Sequence, residues 1–342
     1  MPPFYGKIHA NLLKIIIASR QLLPERPSLS KYILRRLLQV IPTLLGVFTV
    51  LFVLAYMMPG DPVRAVLGEQ YHRMDPEVVE AVREGLGLND PFHVRYLEFL
   101  GRLARGDLGR SYILEQDVID VIGYRLPRTI QMMIGGMVVA TSIGLLAGIV
   151  SAEKQYTWID HTLMLVALIG VSMPVFWQGL IAQLLLTQDK YGIALFPVAG
   201  YGGGNLKYLI LPSLVLGTHY SATIARVTRT AMLEVRSQDY VRTAYAKGLK
   251  YRTILIRHQF RNALIPVVTV IAMDISGLFT GAIVTETIFN WPGVGRALIV
   301  AIERRDTPVF LGILIFGSLV FIVINLITDL LYAVINPRIR YE

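Results

Sequence analysis

Long runs of apolar residues alternate with polar stretches along this chain. Six runs, at positions 33–58, 129–152, 159–186, 208–232, 264–285 and 309–335, each hold about 20 or more mostly apolar residues. That is the length an α-helix needs to cross roughly 30 Å of hydrocarbon. The pattern therefore predicts an all-α membrane protein with six transmembrane helices. Between the first two runs, residues 59–125 are polar and read as a folded, partly helical segment. Asp75-Pro76-Glu77 starts a helix there, with Pro at the first helical position and an acid near the positive end of the dipole. Val78, Val79, Val82 and Leu86 repeat at helical spacing, and Gly85 and Gly87 end the run. A second helix is predicted over 91–105, with Val94, Leu97, Leu100 and Leu103 on one face and Gly106-Asp107-Leu108-Gly109 closing it. At the N-terminus, Ile15, Ile16 and Ile17 lie between Lys14 and Arg20, too short a run to span. Residues 8–23 read as a basic amphipathic helix at the membrane surface or as a disordered tail.

Charge placement orients the spans. Residues 1–36 carry seven Lys/Arg against Glu25, and residues 226–261 carry nine against Glu234 and Asp239. Residues 59–125 carry eight against twelve acids. Basic loops stay in the cytoplasm. Both termini and the loop after the fourth span are thus expected inside, with 59–125 outside and the tail Asn336-Pro337-Arg338-Ile339-Arg340 matching the inner side. The whole chain has 342 residues, 54% apolar and 17% charged, a net charge of +9 and no cysteine. That composition argues against a disordered protein, a disulfide scaffold and a thiolate metal site. The cations are sorted by membrane side and not gathered on a recognition helix, so a nucleic-acid partner is not expected.

Polar residues inside hydrocarbon are costly and need a partner or a water-filled path. The fourth span carries His219 near its middle and Arg226 and Arg229 nearer the cytoplasmic end; the fifth carries Asp274, the sixth Asn325 and Asp329. His219, Asp274 and Asn325 are the candidates for a translocation path, with a satisfied structural role the alternative for His219 and Asp274. Asp274, Gly277 and Gly281 share one face of the fifth span, and Thr141, Gly144 and Gly148 one face of the second. Both glycine pairs are read as close helix packing. Pro42, Pro174, Pro212 and Pro266 fall in or at the ends of spans and can kink or start helices.

The loop at 239–266 is the most informative stretch. Ala244 and Ala246 favour helix, Gly248 can take the left-handed conformation that stops one, and Ile254, Leu255 and Phe260 offer an apolar face. Helix, turn, helix is the expected course. Here the chain resembles the inner-membrane permease subunits of binding-protein-dependent ABC importers, and more narrowly the first permease subunit of dipeptide and oligopeptide systems. That superfamily carries Glu-Ala-Ala, three residues, then Gly. Gly248 matches the glycine, and Arg242-Thr243-Ala244 stands in place of Glu-Ala-Ala with only Ala244 literal. His258, Phe260 and Arg261 depart from the general pattern, while Arg261-Asn-Ala-Leu-Ile-Pro266 follows the peptide branch. Lys31-Tyr-Ile-Leu-Arg-Arg-Leu, Pro59-Gly-Asp-Pro62, Leu86-Gly-Leu-Asn-Asp-Pro91, Gly106-Asp-Leu-Gly-Arg-Ser111 and Thr285-Glu-Thr-Ile-Phe-Asn-Trp-Pro-Gly-Val-Gly295 add matches in order over about 31–340.

The resemblance implies the type I importer permease fold. Residues 1–30 lie outside it and are expected as a cytoplasmic extension; the rest divides into a first transmembrane helix (31–58), an extracytoplasmic segment (59–125) and a five-helix core (126–342) with a coupling loop at 233–262. The resemblance implies that Arg242, Thr243, Ala244, Tyr245, Lys247, Gly248 and Leu249 couple to a cytoplasmic ATPase. The implied partners are a second, homologous permease subunit, two ATP-binding subunits, an extracytoplasmic solute-binding protein and membrane lipid, in a bacterial or archaeal cell membrane. ATP and Mg would be held by the ATPases; no cofactor is expected on this chain, which has no Gly-x-x-x-x-Gly-Lys-Ser/Thr loop. The expected cargo is a di- or oligopeptide, with a nickel complex, glutathione or an oligosaccharide as alternatives. An ion-coupled secondary transporter is the weaker reading, since few acids lie in the spans and no long internal repeat is evident. An integral membrane enzyme is weaker still, with six scattered His and neither His-Glu-x-x-His nor Gly-x-Ser-x-Gly.

Overall fold

The computed structural model describes residues 29–57, 61–187 and 193–335. The predicted surface helix at 8–23, Pro59 and Gly60 of the Pro-Gly-Asp-Pro motif, and the tail at 336–340 lie outside them. Among the described residues the secondary structure is helical, apart from one isolated bridge between Arg110 and Asp117.

The first long helix, α1, is Leu29–Tyr56 and runs through Pro42. Two short turns follow, α2 at Pro62–Leu67 and a 3₁₀ turn at Gly68–His72. The expected helices of the polar segment are α3, Pro76–Gly85, and α4, Phe92–Ala104. Gly87, Gly106 and Gly109 all take positive φ, which is why the chain can turn sharply after each. Phe99 packs with Phe52 of α1 and Ile315, and Phe92 and Tyr96 add ring contacts to Phe52. Helix α4 thus lies against the membrane bundle through an aromatic seam. Asp61 caps α2 through the Val63 N–H at 3.0 Å and also pairs with Arg83 of α3, binding the segment to itself.

The second long helix, α5, is Val118–Glu153. It starts eleven residues earlier than the apolar run suggested. Asp120, Arg125 and Arg128 made that stretch look like loop. In the fold, Val118, Val121 and Ile122 point inward against Val294, Leu298 and Ile313, so one face of a charged stretch is core. The expected third span is broken. Trp158–Ser172 (α6) and Val175–Leu186 (α7) meet at 109°. Pro174 is the cause: it forces Met173 to an extended conformation, φ −83° and ψ 127°, and removes the N–H that would continue the helix.

Helix α8, Lys207–Arg236, is the central element. It packs along α5 and touches α6, α7 and the next long helix, α10, which is Arg261–Ile288. Its glycine-matched seam with α5 is close. An added Cβ at Gly148 would lie 2.6 Å from the Ala225 carbonyl oxygen, and one at Gly144 would lie 2.8 Å from that of Ser221. Gly277 and Gly281 of α10 make room for the Tyr220 ring in the same way. Both glycine faces are therefore packing faces. Helix α11, Val294–Arg304, and the last long helix, α12, Thr307–Ile335, complete the bundle. Four described helices are long and apolar enough to cross a membrane, or five if the bent pair is one span. Helix α8 has the length, about 45 Å at 1.5 Å per residue, but it carries five charges and is enclosed by its neighbours.

Candidate functional site

The basic loop folds as the sequence pattern requires. Helix α9, Asp239–Ala246, leaves α8 after a two-residue break. Its C-terminus is closed by hydrogen bonds from the Lys247 N–H to the Thr243 carbonyl at 3.0 Å and from the Gly248 N–H to that of Tyr245 at 2.9 Å. Gly248 sits at φ +72°, a conformation that a side chain disfavours. The chain then re-enters helix at Tyr251, passes through a π-helical stretch, Ile254–Phe260, and runs into α10.

Two kinds of residue line this hairpin. Val241 and Ile254 are fully buried, Ala244 nearly so, and the three form a small core with Val235 of α8. The Asn262 side-chain amide donates to the Tyr240 hydroxyl at 3.1 Å, closing the hairpin onto the start of α10. Outward from this core point Arg242, Thr243, Tyr245, Lys247, Gly248 and Leu249. Tyr245 is 44% exposed, Leu249 41% and Tyr251 51%. Ala244, grouped by the sequence with the contact residues, faces inward and packs the hairpin. The resulting knob is apolar at its tip and cationic around it, and it is anchored at both ends in helices that traverse the bundle.

The three polar path candidates lie on three different helices, and two of them neighbour Tyr220. His219 lies toward α6, near the Gly170 carbonyl. Its ring also meets Tyr220 edge-on, Asp274 sits by that same tyrosine, and one of the Asp274 carboxylate oxygens is buried without a protein partner. Asn325 lines a separate groove between α1 and α12 with Gln39 and Thr43.

Two buried acids carry more structure than those three. Asp160, at the start of α6, accepts two hydrogen bonds from the Arg229 guanidinium at 2.8 and 2.7 Å. The Ser151 hydroxyl and the Tyr156 N–H complete its shell and tie α5, α6 and α8 at the hairpin end. The signal was present, since Asp160 is the only acid in the 159–186 run. Glu286 is fully buried near the other end of α10. It accepts from the Thr129 hydroxyl at 2.6 Å and the Arg296 N–H at 3.0 Å, while Thr129 accepts from the Val294 N–H at 2.9 Å. A Cβ at Gly293 would fall on the Glu286 carboxylate, within 2.1 Å. The motif at 285–295 is thus a corner built around a buried carboxylate that locks α5, α10 and α11.

These features define a class: a polytopic helical membrane component with a packed basic hairpin at one end of its bundle and a separate helical segment at the other. Comparison with known proteins narrows it. Residues 144–341 match the family described as binding-protein-dependent transport system inner membrane component, and residues 29–133 match the N-terminal region of such membrane components. The chain is 41% identical over 333 residues to the dipeptide transport system permease protein DppB of Alkalihalophilus pseudofirmus, covering 91% of this chain and 99% of that one. It is 42% identical over 335 residues to the di/tripeptide transport system permease protein DppB of Pseudomonas aeruginosa, and 40% identical over 311 residues to the glutathione transport system permease protein GsiC of Escherichia coli K12. Both alignments again cover 91% of this chain and 99% of the relative. The chain belongs to the family of inner-membrane components of binding-protein-dependent transport systems, and it is a multi-pass transport subunit.

Proposed function

We propose that this chain forms half of the translocation pathway of an ATP-driven importer for short peptides, crossing the membrane six times with both termini in the cytoplasm. The reading treats the bent α6–α7 pair as one crossing and α8 as another, its charges shielded within the bundle. A second, homologous permease subunit would supply the other half of the path. Two cytoplasmic ATPases would bind and hydrolyse ATP with Mg, and a solute-binding protein would deliver cargo at the outer end. The single observation that carries the proposal is the hairpin. It offers Arg242, Thr243, Tyr245, Lys247 and Leu249 outward on a core packed against Val235 of α8 and hydrogen-bonded to Asn262 of α10. When the ATPases close, a load on this knob would move both helices, and the bundle would switch between inward-open and outward-open arrangements.

Short peptides are the cargo favoured by the relatives named for dipeptides and di/tripeptides. The relative named for glutathione is nearly as similar, and glutathione is itself a tripeptide. The test is Gly248→Pro in the assembled importer. Proline's φ is fixed near −65°, opposite in sign to the +72° required, so the turn must rearrange. Membrane insertion should persist, while ATP hydrolysis no longer rises with loaded binding protein and peptide uptake is lost. Normal stimulation in that variant would refute the lever, and failure of any ATPase to co-isolate with the native chain would refute the assembly.

A further inference from the structure

The far end of the bundle from the hairpin holds a cavity lined by more cations than acids. It measures roughly 250 Å³ and lies between the start of α5, helix α11 and residues 113–114. Arg125, Arg296 and Arg304 line it, and Val121, Val300 and Val309 supply apolar wall. Helix α10, 28 residues and about 42 Å long, runs from the hairpin to the corner beside this cavity.

Neither nearby acid forms an ion pair with these arginines among the described residues. Asp306, the one acid in the wall, accepts from the Ser111 hydroxyl on one oxygen and from the Tyr112 N–H at 3.2 Å on the other. Glu286 lies behind, with both oxygens engaged by Thr129 and the Arg296 backbone. Arg125, Arg296 and Arg304 form no salt bridge among the described residues. Arg128, the next cation, is turned away: its guanidinium lies 4.0 Å from the centre of the Tyr124 ring and 5.1 Å from that of Tyr201. Arg125 and Arg296 repel each other across the concavity, Arg304 adds a third cation at its rim, and Asp306 offsets one of the three charges. An anion between them removes that repulsion, and a planar carboxylate matches the guanidinium fork.

We infer that this cavity binds the terminal carboxylate of the transported peptide as cargo enters the bundle. The inference rests on the peptide-importer reading. The volume falls below the roughly 300–1,000 Å³ of pockets that engulf a whole small ligand, so it suits one end of the solute. The apolar wall takes the adjoining side chain.

The test uses the complete importer in vesicles, with its binding protein saturated by either of two peptides: one with a free C-terminal carboxylate, one with that carboxylate amidated. Uptake by Arg125→Gln and by Arg296→Gln is divided by wild-type uptake of the same peptide, which cancels the binding protein's own preference. The free acid should lose about tenfold or more, the scale of one charge-assisted hydrogen bond, while the amide changes less than about twofold. Arg304→Gln, at an exposed position, serves if the other two destabilise the fold, and should show the same selective loss. Equal losses for both peptides, or none, overturn the inference. So does a loss that appears only in vesicles containing phosphatidylglycerol and ignores the peptide terminus, because the occupant is then a lipid phosphate. A wild-type importer that moves neither peptide would instead fault the peptide-importer reading itself.

Discussion

At the scale of single residues, the strongest constraints are buried acids whose partners come from other helices. Asp160 is almost fully buried and pairs with an Arg229 side chain that is only partly exposed. Removing one charge leaves the other desolvated and unpaired, which typically costs about 3 kcal/mol or more. Asp160→Asn should therefore lower the thermal midpoint of the purified complex markedly. The double variant Asp160→Asn/Arg229→Gln should be less affected than the single one, because no orphan charge remains. Asp61 behaves differently, outside the spans. Burial alone would raise its pKa, but the Val63 N–H, the Arg83 guanidinium and the Tyr71 hydroxyl outweigh burial and hold it below the usual carboxylate value. A folded-state pKa below the unfolded one means stabilisation that is complete above the unfolded value, about 3.9, and is lost as pH falls through the folded one. The 61–105 segment should thus resist proteolysis at pH 6 and become susceptible below about pH 4. Asp61→Asn should be equally susceptible at both, and a wild-type segment that stays resistant at low pH would remove this role.

At the scale of elements, the α5–α8 seam decides how rigidly the hairpin is carried. Gly148 approaches the Ala225 carbonyl so closely that a larger residue must push the two helices apart. Gly148→Val adds three carbons at a point where the neighbour is backbone and cannot swing aside. A destabilisation of about 1–3 kcal/mol is expected, read as a lower thermal midpoint and faster proteolysis. The spacing of Gly144 and Gly148 made this packing legible from sequence. The break at Pro174 was only half legible. Proline announces a discontinuity, but the 109° angle depends on where α7 finds its apolar contacts, among Leu211, Val215 and Phe289. Likewise the early start of α5 was hidden, because Arg125 and Arg128 look like loop residues until the opposite face of that turn is seen in the core.

At the scale of the whole molecule, the proposed orientation makes the hairpin and the 61–117 segment opposite in access. The chain has no cysteine, so single reporters can be placed without background. With Glu98→Cys on α4 and Tyr245→Cys on α9, a membrane-impermeant maleimide should label only the first in intact cells stripped of their outer envelope. The second should react after lysis. Labelling of Tyr245→Cys from outside would reverse the topology and place the knob where no ATPase could reach it.

Local rules written into the sequence determined the helical class, the helices of the polar segment and the turn at Gly248. Apolar run length, helix-start residues and the need for a left-handed glycine act within a few residues of the chain, so they can be read without coordinates. The tertiary structure alone decided which polar residues matter together. His219, Asp274 and Asn325 look alike in sequence, as polar residues among apolar ones, but the fold sets the first two beside Tyr220 and the third in a groove with Gln39 and Thr43. Asp160 with Arg229, and Glu286 with Thr129, are separated by 69 and 157 positions, and only the folded chain pairs them. Charge compensation acts through space, and a single sequence records distance along the chain.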